Sequence, residues 1–227
     1  MKSNRLVTQR KKSAKQKIKS QGRRPAGETR KELLEVALAM FSERGFDGVS
    51  VDELVLQAGT TKRMVYHYFG SKQGLYREAL EEVYRRLTEL EVDVFRENPP
   101  VGVAIEQLLR AYFNFLWENT DLLRILLWEN LQGGKNLPSI DKKITKAPVL
   151  EALERAIRRG KKCGEIRRDI DSQHLLIHLI GMCLVYFSNQ HTLSLSLGLD
   201  LHEQENLSKG IEQAIRLAQS GFMRSAE

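Results

Sequence analysis

The amino-acid sequence predicts an all-α protein of about nine helices arranged in two parts. Apolar residues recur at intervals of three and four through most of the 227 residues, as they do along one face of a helix. Glycines, prolines and N-capping residues separate these periodic segments. No alternation of apolar and polar residues is long enough to indicate a β-strand. A chain of this length can form one large domain or two modest domains with sizeable cores.

Charge is unevenly distributed along the chain. Ten of the 36 lysines and arginines lie in residues 1–27, which contain no acidic residue, so the net charge of +7 comes from this segment. The rest of the chain has 26 basic and 29 acidic residues and is close to neutral. Because residues 1–27 also have few large apolar side chains, we predict a disordered basic arm. The arm is either a solvated tail or a cationic segment that contacts phosphates, or reaches a minor groove with Arg23 and Arg24.

The first helix is predicted to begin at Thr29 and to end at Gly45. Thr29 followed by Glu32 fits a capping box, and Gly45 fits a C-terminal cap. The apolar side chains between them fall on one helical face: Leu33, Val36, Ala37, Met40 and Phe41.

Two short helices joined by a tight turn follow the first. Ser50 and Glu53 form a second capping box, and the helix that they open ends at Gly59. Gly59 allows the left-handed backbone that a tight turn between helices needs. Thr61 is the predicted cap of the third helix, Lys62–Phe69.

Longer helices are predicted beyond this turn. Ser71 caps a fourth helix that runs to about Glu97 and is ended by the Asn-Pro-Pro sequence at 98–100. Five more helices are predicted after residue 100: Val101–Glu118, Asp121–Leu131, Val149–Lys162, Ser172–Gln190 and Glu203–Ser220.

Basic residues lie where a helix alone would disfavour them. Lys62 and Arg63 occupy the first turn of the third helix, and Lys72 occupies the first turn of the fourth. The helix dipole makes cations unfavourable at these positions. The placement becomes favourable if a phosphate group binds there, because backbone amides and cations then act together.

Amphipathic aromatic side chains accompany these cations. Tyr66, His67 and Tyr68 each combine an apolar body with a polar tip, which suits thymine methyl groups, sugars and phosphate oxygens. Val65 and Phe69 are expected to pack in the core. We therefore expect the third helix to enter the major groove of double-stranded DNA.

Residues 28–76 resemble the DNA-binding domain of the TetR family of bacterial transcriptional regulators. The residues that carry the resemblance are Phe46, Val51, Leu54, Ala58, Gly59, Thr61, Tyr66, His67, Tyr68, Phe69, Ser71, Lys72 and Leu75. Arg63 departs from the family pattern, in which this position is often small. The resemblance implies a three-helix DNA-binding domain over 28–76, with the helix-turn-helix at 50–69, and an effector-binding and dimerisation domain over 77–227.

The same resemblance implies a homodimer whose recognition helices enter successive major grooves of a palindromic operator. It implies three kinds of DNA contact: phosphate contacts from Ser50 and Thr61, base-edge contacts from Lys62, Arg63 and His67, and backbone contacts from Tyr66 and Lys72.

Dimerisation is expected through residues 172–220. Residues 160–171 resemble the connector that often precedes the dimer helices of the family. The next helix is apolar nearly all round and must be covered on all sides. With the final helix it could form a four-helix bundle with a second subunit; the alternative is a central helix of a monomeric core.

An effector pocket is expected among the helices of residues 77–187. Aromatic side chains there favour a small apolar or aromatic effector. The candidate ligand-binding residues are Tyr112, Phe113, Trp117, Trp128, His174 and His178. The two histidines, four residues apart, either bind a metal or pack as a pair lining the pocket; the lack of a further ligand at suitable spacing favours the second interpretation. No cofactor is predicted.

These patterns predict a DNA-binding transcriptional regulator. Because members of the TetR family are mostly repressors, the resemblance implies a repressor that a small-molecule effector releases from its operator. A ligand-responsive activator and an architectural DNA-coating protein are the alternatives. An enzyme is not expected, because the sequence has no paired carboxylates, activated nucleophile, phosphate loop or cofactor motif. With no signal peptide and no apolar stretch long enough to span a bilayer, we expect a bacterial cytoplasmic protein that associates with the nucleoid when bound to DNA and has no membrane partner.

Overall fold

A computed structural model describes residues 26–140 and 147–224, and these residues form an all-helical fold as predicted. The described residues contain ten α-helices: α1 Ala26–Arg44, α2 Val51–Gln57, α3 Lys62–Phe69, α4 Lys72–Phe95, α5 Val101–Glu118, α6 Thr120–Leu131, α7 Ala147–Cys163, α8 Ser172–Ser188, α9 Gln190–Leu197 and α10 Gln204–Phe222. A short 3₁₀ helix, Leu137–Ser139, lies between α6 and α7. Most of the predicted basic arm lies outside the described residues.

Two details of the predicted helices are wrong. Helix α1 begins at Ala26, so Thr29 lies inside the helix and does not cap it. Helix α9 was not predicted, because leucines occupy every second position from Leu193 to Leu201, which is not a helical pattern. In a helix such spacing distributes side chains around the axis, and Leu195 is consequently 87% exposed.

The helices pack as two compact units. The first unit comprises the described residues up to Glu82 together with Arg124–Pro138, and the second comprises Val83–Leu123 and the described residues from Ser139 onwards. The chain thus returns to the first unit after α5, through Arg124–Pro138. The predicted boundary between residues 76 and 77 does not include this return. The division into functional domains stays a prediction, since these units are defined by packing alone.

An aromatic cluster lies at the centre of the first unit. The Tyr76 ring meets Phe41 edge-on at 5.0 Å and Phe46 at 5.2 Å between centroids. From the returning segment, Trp128 donates its indole N–H to the carbonyl oxygen of Ser42 at 3.2 Å. Gly45, with a φ of +67°, lies directly under this indole, and a Cβ there would come 2.9 Å from the ring. The predicted helix end at Gly45 is confirmed, and contact with α6 gives it a second role.

The second unit is built around α5, which packs against α7, α8 and α10. The start of α5 is capped from the connector before α8, because a carboxylate oxygen of Glu165 accepts a hydrogen bond from the backbone N–H of Gly102 at 3.1 Å. The connector also pairs with the end of α10 through an isolated antiparallel bridge between Ile166 and Met223. None of the described helices is long and apolar enough to cross a membrane.

Candidate nucleic-acid interface

The turn between α2 and α3 forms as the sequence predicts. The Ser50 hydroxyl accepts the backbone N–H of Glu53 at 3.2 Å, and the Glu53 carboxylate accepts the backbone N–H of Ser50 at 3.0 Å, which confirms the capping box. Gly59 has a φ of +62°, as a left-handed turn residue requires. Arg44 donates to Glu53 at 2.9 Å, and this guanidinium, together with the Ser50 hydrogen bonds, lowers the pKa of Glu53 to about 2.

Helix α3 has one buried and one exposed face. Val65 and Phe69 are buried, which confirms their predicted place in the core. The other face carries exposed side chains that the sequence assigns to DNA binding: Lys62, Arg63, Tyr66 and His67. Thr61 precedes this face and has the extended backbone of an N-cap residue, although its side chain makes no capping hydrogen bond. The structure therefore brings five of the seven predicted contact residues together on one surface, which we call the α3 face.

Lys62 has a partner that sequence reasoning missed. Its ammonium group lies 2.9 Å from the Asp52 carboxylate in the first turn of α2, and this contact raises the pKa of Lys62. The ion pair thus joins the first turn of α2 to the first turn of α3. The pair leaves Arg63 as the cation of the α3 face that no described carboxylate neutralises.

Lys72 lies at the start of α4, where the Ser71 hydroxyl accepts the Gly74 N–H at 2.9 Å and confirms the predicted cap. The Lys72 ammonium group is 4.2 Å from the centroid of the Phe46 ring, a cation–π contact. Partial burial lowers the pKa of Lys72, and nearby acidic side chains partly oppose this effect. Lys135, which sequence reasoning also missed, approaches the same ring, with its ammonium group 5.7 Å from the centroid.

The six predicted ligand-binding residues do not form one cluster. Trp128 lies in the first unit, whereas the other five lie in the second. His174 and His178 are exposed on α8. Phe113 and Trp117 line an open cleft with an empty volume of about 380 Å³, part of it open to solvent, against Phe187 of α8 and the start of α10. The remaining lining residues are Asn114, Gln204, Leu207, Ser208 and Ile211.

Tyr112 lies in the interior of the second unit. Its hydroxyl donates to the carboxylate of Glu91 at 2.6 Å, and both residues are buried. Burial, followed by the charge of Glu91, raises the pKa of Tyr112 well above its usual range. Cys183 is buried nearby, and burial raises the pKa of its thiol to about 12. Sequence reasoning missed Glu91, but its spacing of four residues from Leu87 and Phe95 places it on the buried stripe of α4.

Comparison with known families agrees with this arrangement. The family described as "Bacterial regulatory proteins, tetR family" matches residues 33–79, and "Tetracyclin repressor-like, C-terminal domain" matches residues 100–217, slightly more than half of the chain. The match to the first family covers α2, α3 and the start of α4.

Relatives of known name cover nearly the whole chain. The HTH-type transcriptional repressor NicS of Pseudomonas putida is 28% identical over 200 residues, which is 88% of this chain and 94% of that protein. The HTH-type transcriptional regulator RutR of Escherichia coli is 24% identical over 90% of this chain and 96% of its own length.

Solved structures share the fold. A TetR family regulator from Marinobacter aquaeolei has a TM-score of 0.66 at 18% identity, with 87% of this chain and 96% of that chain covered. The ketosteroid transcriptional regulator KstR2 of Mycobacterium tuberculosis has a TM-score of 0.63 at 20% identity, with 90% and 98% covered. With its helix-turn-helix, its helical second unit and these matches, the chain belongs to the TetR family of bacterial regulatory proteins.

Proposed function

We propose that this protein is a transcriptional repressor that binds a palindromic operator as a homodimer and leaves it when a small effector binds. The observation that carries the proposal is the α3 face, where cationic and amphipathic side chains are exposed on a helix whose opposite face is buried. Repression is the direction named for the relative NicS.

The residues of the α3 face and Lys72 suggest two kinds of DNA contact, to base edges and to the phosphate backbone. Arg63 and His67 are exposed near the start and middle of α3, where major-groove base edges would lie. We assign Tyr66, which is 52% exposed, and Lys72 to contacts with the phosphate backbone. Lys62 would exchange its pairing with Asp52 for a contact with DNA.

The second unit supports dimerisation through α8 and α10, as expected for a family whose members dimerise. Ile177 and Val185 are 61% and 43% exposed on α8, and Gly181 lies between them at the same spacing of four. Leu217 is 63% exposed on α10. A second copy would cover this apolar surface. The resulting dimer would need an operator whose half-sites lie roughly 34 Å apart or a multiple of that distance, as dimeric helix-turn-helix proteins do.

The effector is proposed to bind the second unit. Phe113 and Trp117 offer an aromatic cleft, and the hydrogen-bonded pair of Tyr112 and Glu91 offers polar groups in the interior of the same unit. These residues suit a small, largely apolar or aromatic molecule. We place this activity in the bacterial cytoplasm, at the nucleoid when the operator is occupied.

The test is selection of genomic DNA fragments by the purified full chain, followed by footprinting. A repressor of this kind should protect one or a few palindromic sites, sediment as a dimer, and lower expression of a reporter placed behind the site. Protection without any preferred sequence would instead support an architectural DNA-coating protein, and raised reporter expression would support an activator. A panel of small aromatic compounds, screened for a rise in the unfolding temperature and a loss of operator binding, would then identify the effector class.

A further inference from the structure

We propose that the loop after α6, residues 132–138, is an additional part of the DNA interface, and that Lys135 binds a phosphate of the DNA backbone beside the phosphate held by Lys72. This inference rests on the proposed DNA-binding function and extends it to a segment far from the helix-turn-helix in sequence.

The loop is anchored by a buried carboxylate. Glu129, in the last turns of α6, is 2% exposed and accepts two hydrogen bonds from Asn136: one from the backbone N–H at 2.7 Å and one from the side-chain amide at 2.9 Å. Charge-assisted hydrogen bonds of this kind are stronger than neutral ones. The residue that follows Lys135 is therefore held firmly.

The anchored loop lies beside the first turn of α4. The side-chain amide of Gln73 lies 3.4 Å from the Asn136 side-chain oxygen, and Gln73 is the immediate neighbour of Lys72. Lys135 and Lys72 thus reach the same place from two segments more than sixty residues apart.

Both ammonium groups contact one aromatic ring. The Lys72 nitrogen is 4.2 Å and the Lys135 nitrogen 5.7 Å from the Phe46 centroid. The two ammonium groups therefore lie at most about 10 Å apart. Phosphates of one DNA strand follow one another every ~3.4 Å along the helix axis, so both cations can reach phosphates of the same stretch of backbone. Two like charges this close repel each other in the free protein, and an anion between or beside them relieves the repulsion.

The lysine is also available for such a contact. Lys135 is exposed, and no carboxylate of the described residues forms an ion pair with it. Lys62 differs in this respect because Asp52 neutralises it. A lysine that meets an aromatic ring, a second lysine and solvent is placed for an anionic partner that arrives from outside the chain.

The test compares Lys135→Ala with wild-type protein in fluorescence anisotropy titrations against labelled duplex DNA over a salt series. Because a dimer carries two such loops, the slope of log affinity against log salt should fall in magnitude by about two, with affinity at low salt reduced about tenfold on specific and random duplexes alike. Lys135→Arg should retain the wild-type slope. Lys162→Ala, which removes an exposed lysine of α7, should behave as wild type.

The outcomes separate this proposal from the function on which it rests. If wild-type protein binds no duplex, the proposed function fails. If wild-type protein binds and Lys135→Ala has the same affinity and salt slope, only the role of the loop fails. A loss of affinity with an unchanged slope would also overturn it, because a phosphate contact must release counterions.

Discussion

Each unit of the described chain buries one glutamate. One of the two carboxylates binds a loop, and the other binds a neighbouring helix. Glu129 of the first unit accepts hydrogen bonds from Asn136, seven residues further along. Glu91 of the second unit is fully buried and accepts a hydrogen bond from Tyr112, which lies on the next helix. Either carboxylate would destabilise the fold if its hydrogen bonds were lost.

The difference concerns what each hydrogen bond positions. Glu129 fixes a loop whose exposed lysine, Lys135, we assign to the DNA interface. This buried carboxylate therefore positions a surface loop. Glu91 links α4 to α5 within the unit that we propose binds the effector. This buried carboxylate therefore stabilises the packing of two helices in the interior. Damage at Glu129 should therefore affect both stability and DNA binding, whereas damage at Tyr112 should affect stability and the response to effector.

Glu129→Ala should have the largest effect. The substitution removes the two hydrogen bonds that Asn136 donates to the buried carboxylate. Each such loss costs about 1–3 kcal/mol, so we expect the free energy of unfolding to fall by about 3 kcal/mol. Urea denaturation followed by circular dichroism measures this change. At temperatures where the variant remains folded, its DNA affinity should fall as it does for Lys135→Ala.

The matched control is Glu118→Ala, which removes an exposed carboxylate at the end of α5. Its stability should lie within about 0.5 kcal/mol of wild type. Equal stability of the Glu129 and Glu118 variants would show that the hydrogen bonds of Glu129 do not stabilise the first unit.

Tyr112→Phe should have the next largest effect. It removes the donor to buried Glu91 and should lower the free energy of unfolding by about 1–2 kcal/mol at neutral pH. The pKa of Tyr112 is raised in the folded state, so the folded state retains the phenolic proton that the unfolded chain loses near pH 10. The stabilisation is therefore complete below about pH 10 and declines as the pH rises further.

Unfolding free energies on either side of pH 10 measure this dependence. The Tyr112→Phe variant should decline less steeply at alkaline pH than wild type does. Tyr66→Phe, at a half-exposed position on α3, should leave the alkaline decline unchanged. If the Tyr112 variant declines as steeply as wild type, burial of this hydroxyl does not couple protonation to folding.

Local features of the fold were predictable from the sequence. The Ser50 capping box, the left-handed Gly59 and the buried pair of Val65 and Phe69 all depend on residues within a few positions of one another. Such features are set by backbone sterics and helical periodicity, which a single sequence records.

The contributions of the returning segment were not predictable in this way. Trp128 was expected in a ligand pocket because it is aromatic and lies within residues 77–187, but its indole N–H donates to the carbonyl oxygen of Ser42 in the first unit. Lys135 reaches Phe46 only because α6 packs there, and no local pattern marks that contact. Glu91 could be predicted in part. The spacing of the buried stripe on α4 identifies it as buried, but its hydrogen bond to Tyr112 could not be foreseen.

Tyr66→Ala should weaken DNA binding without lowering the stability of the first unit. Because Tyr66 is exposed, its loss should leave the free energy of unfolding within about 0.5 kcal/mol of wild type. We expect affinity for specific and random duplexes to fall about tenfold, since backbone contacts carry no sequence information. Anisotropy titrations measure the change, and Val103→Ala, at an exposed position on α5, is the control. Unchanged affinity would show that α3 docks in another orientation.

Asp52→Asn should have the smallest effect, in the opposite direction. The substitution removes the carboxylate 2.9 Å from Lys62 without changing its size, and it frees a cation of the α3 face. Affinity for random duplex at low salt should rise about threefold, and the gain should disappear at high salt, where exposed charges are screened. Stability should not change measurably, because both side chains are exposed. If binding weakens instead, Asp52 orients Lys62 towards DNA, and the ion pair belongs to the positioning contacts of the first unit together with Glu129.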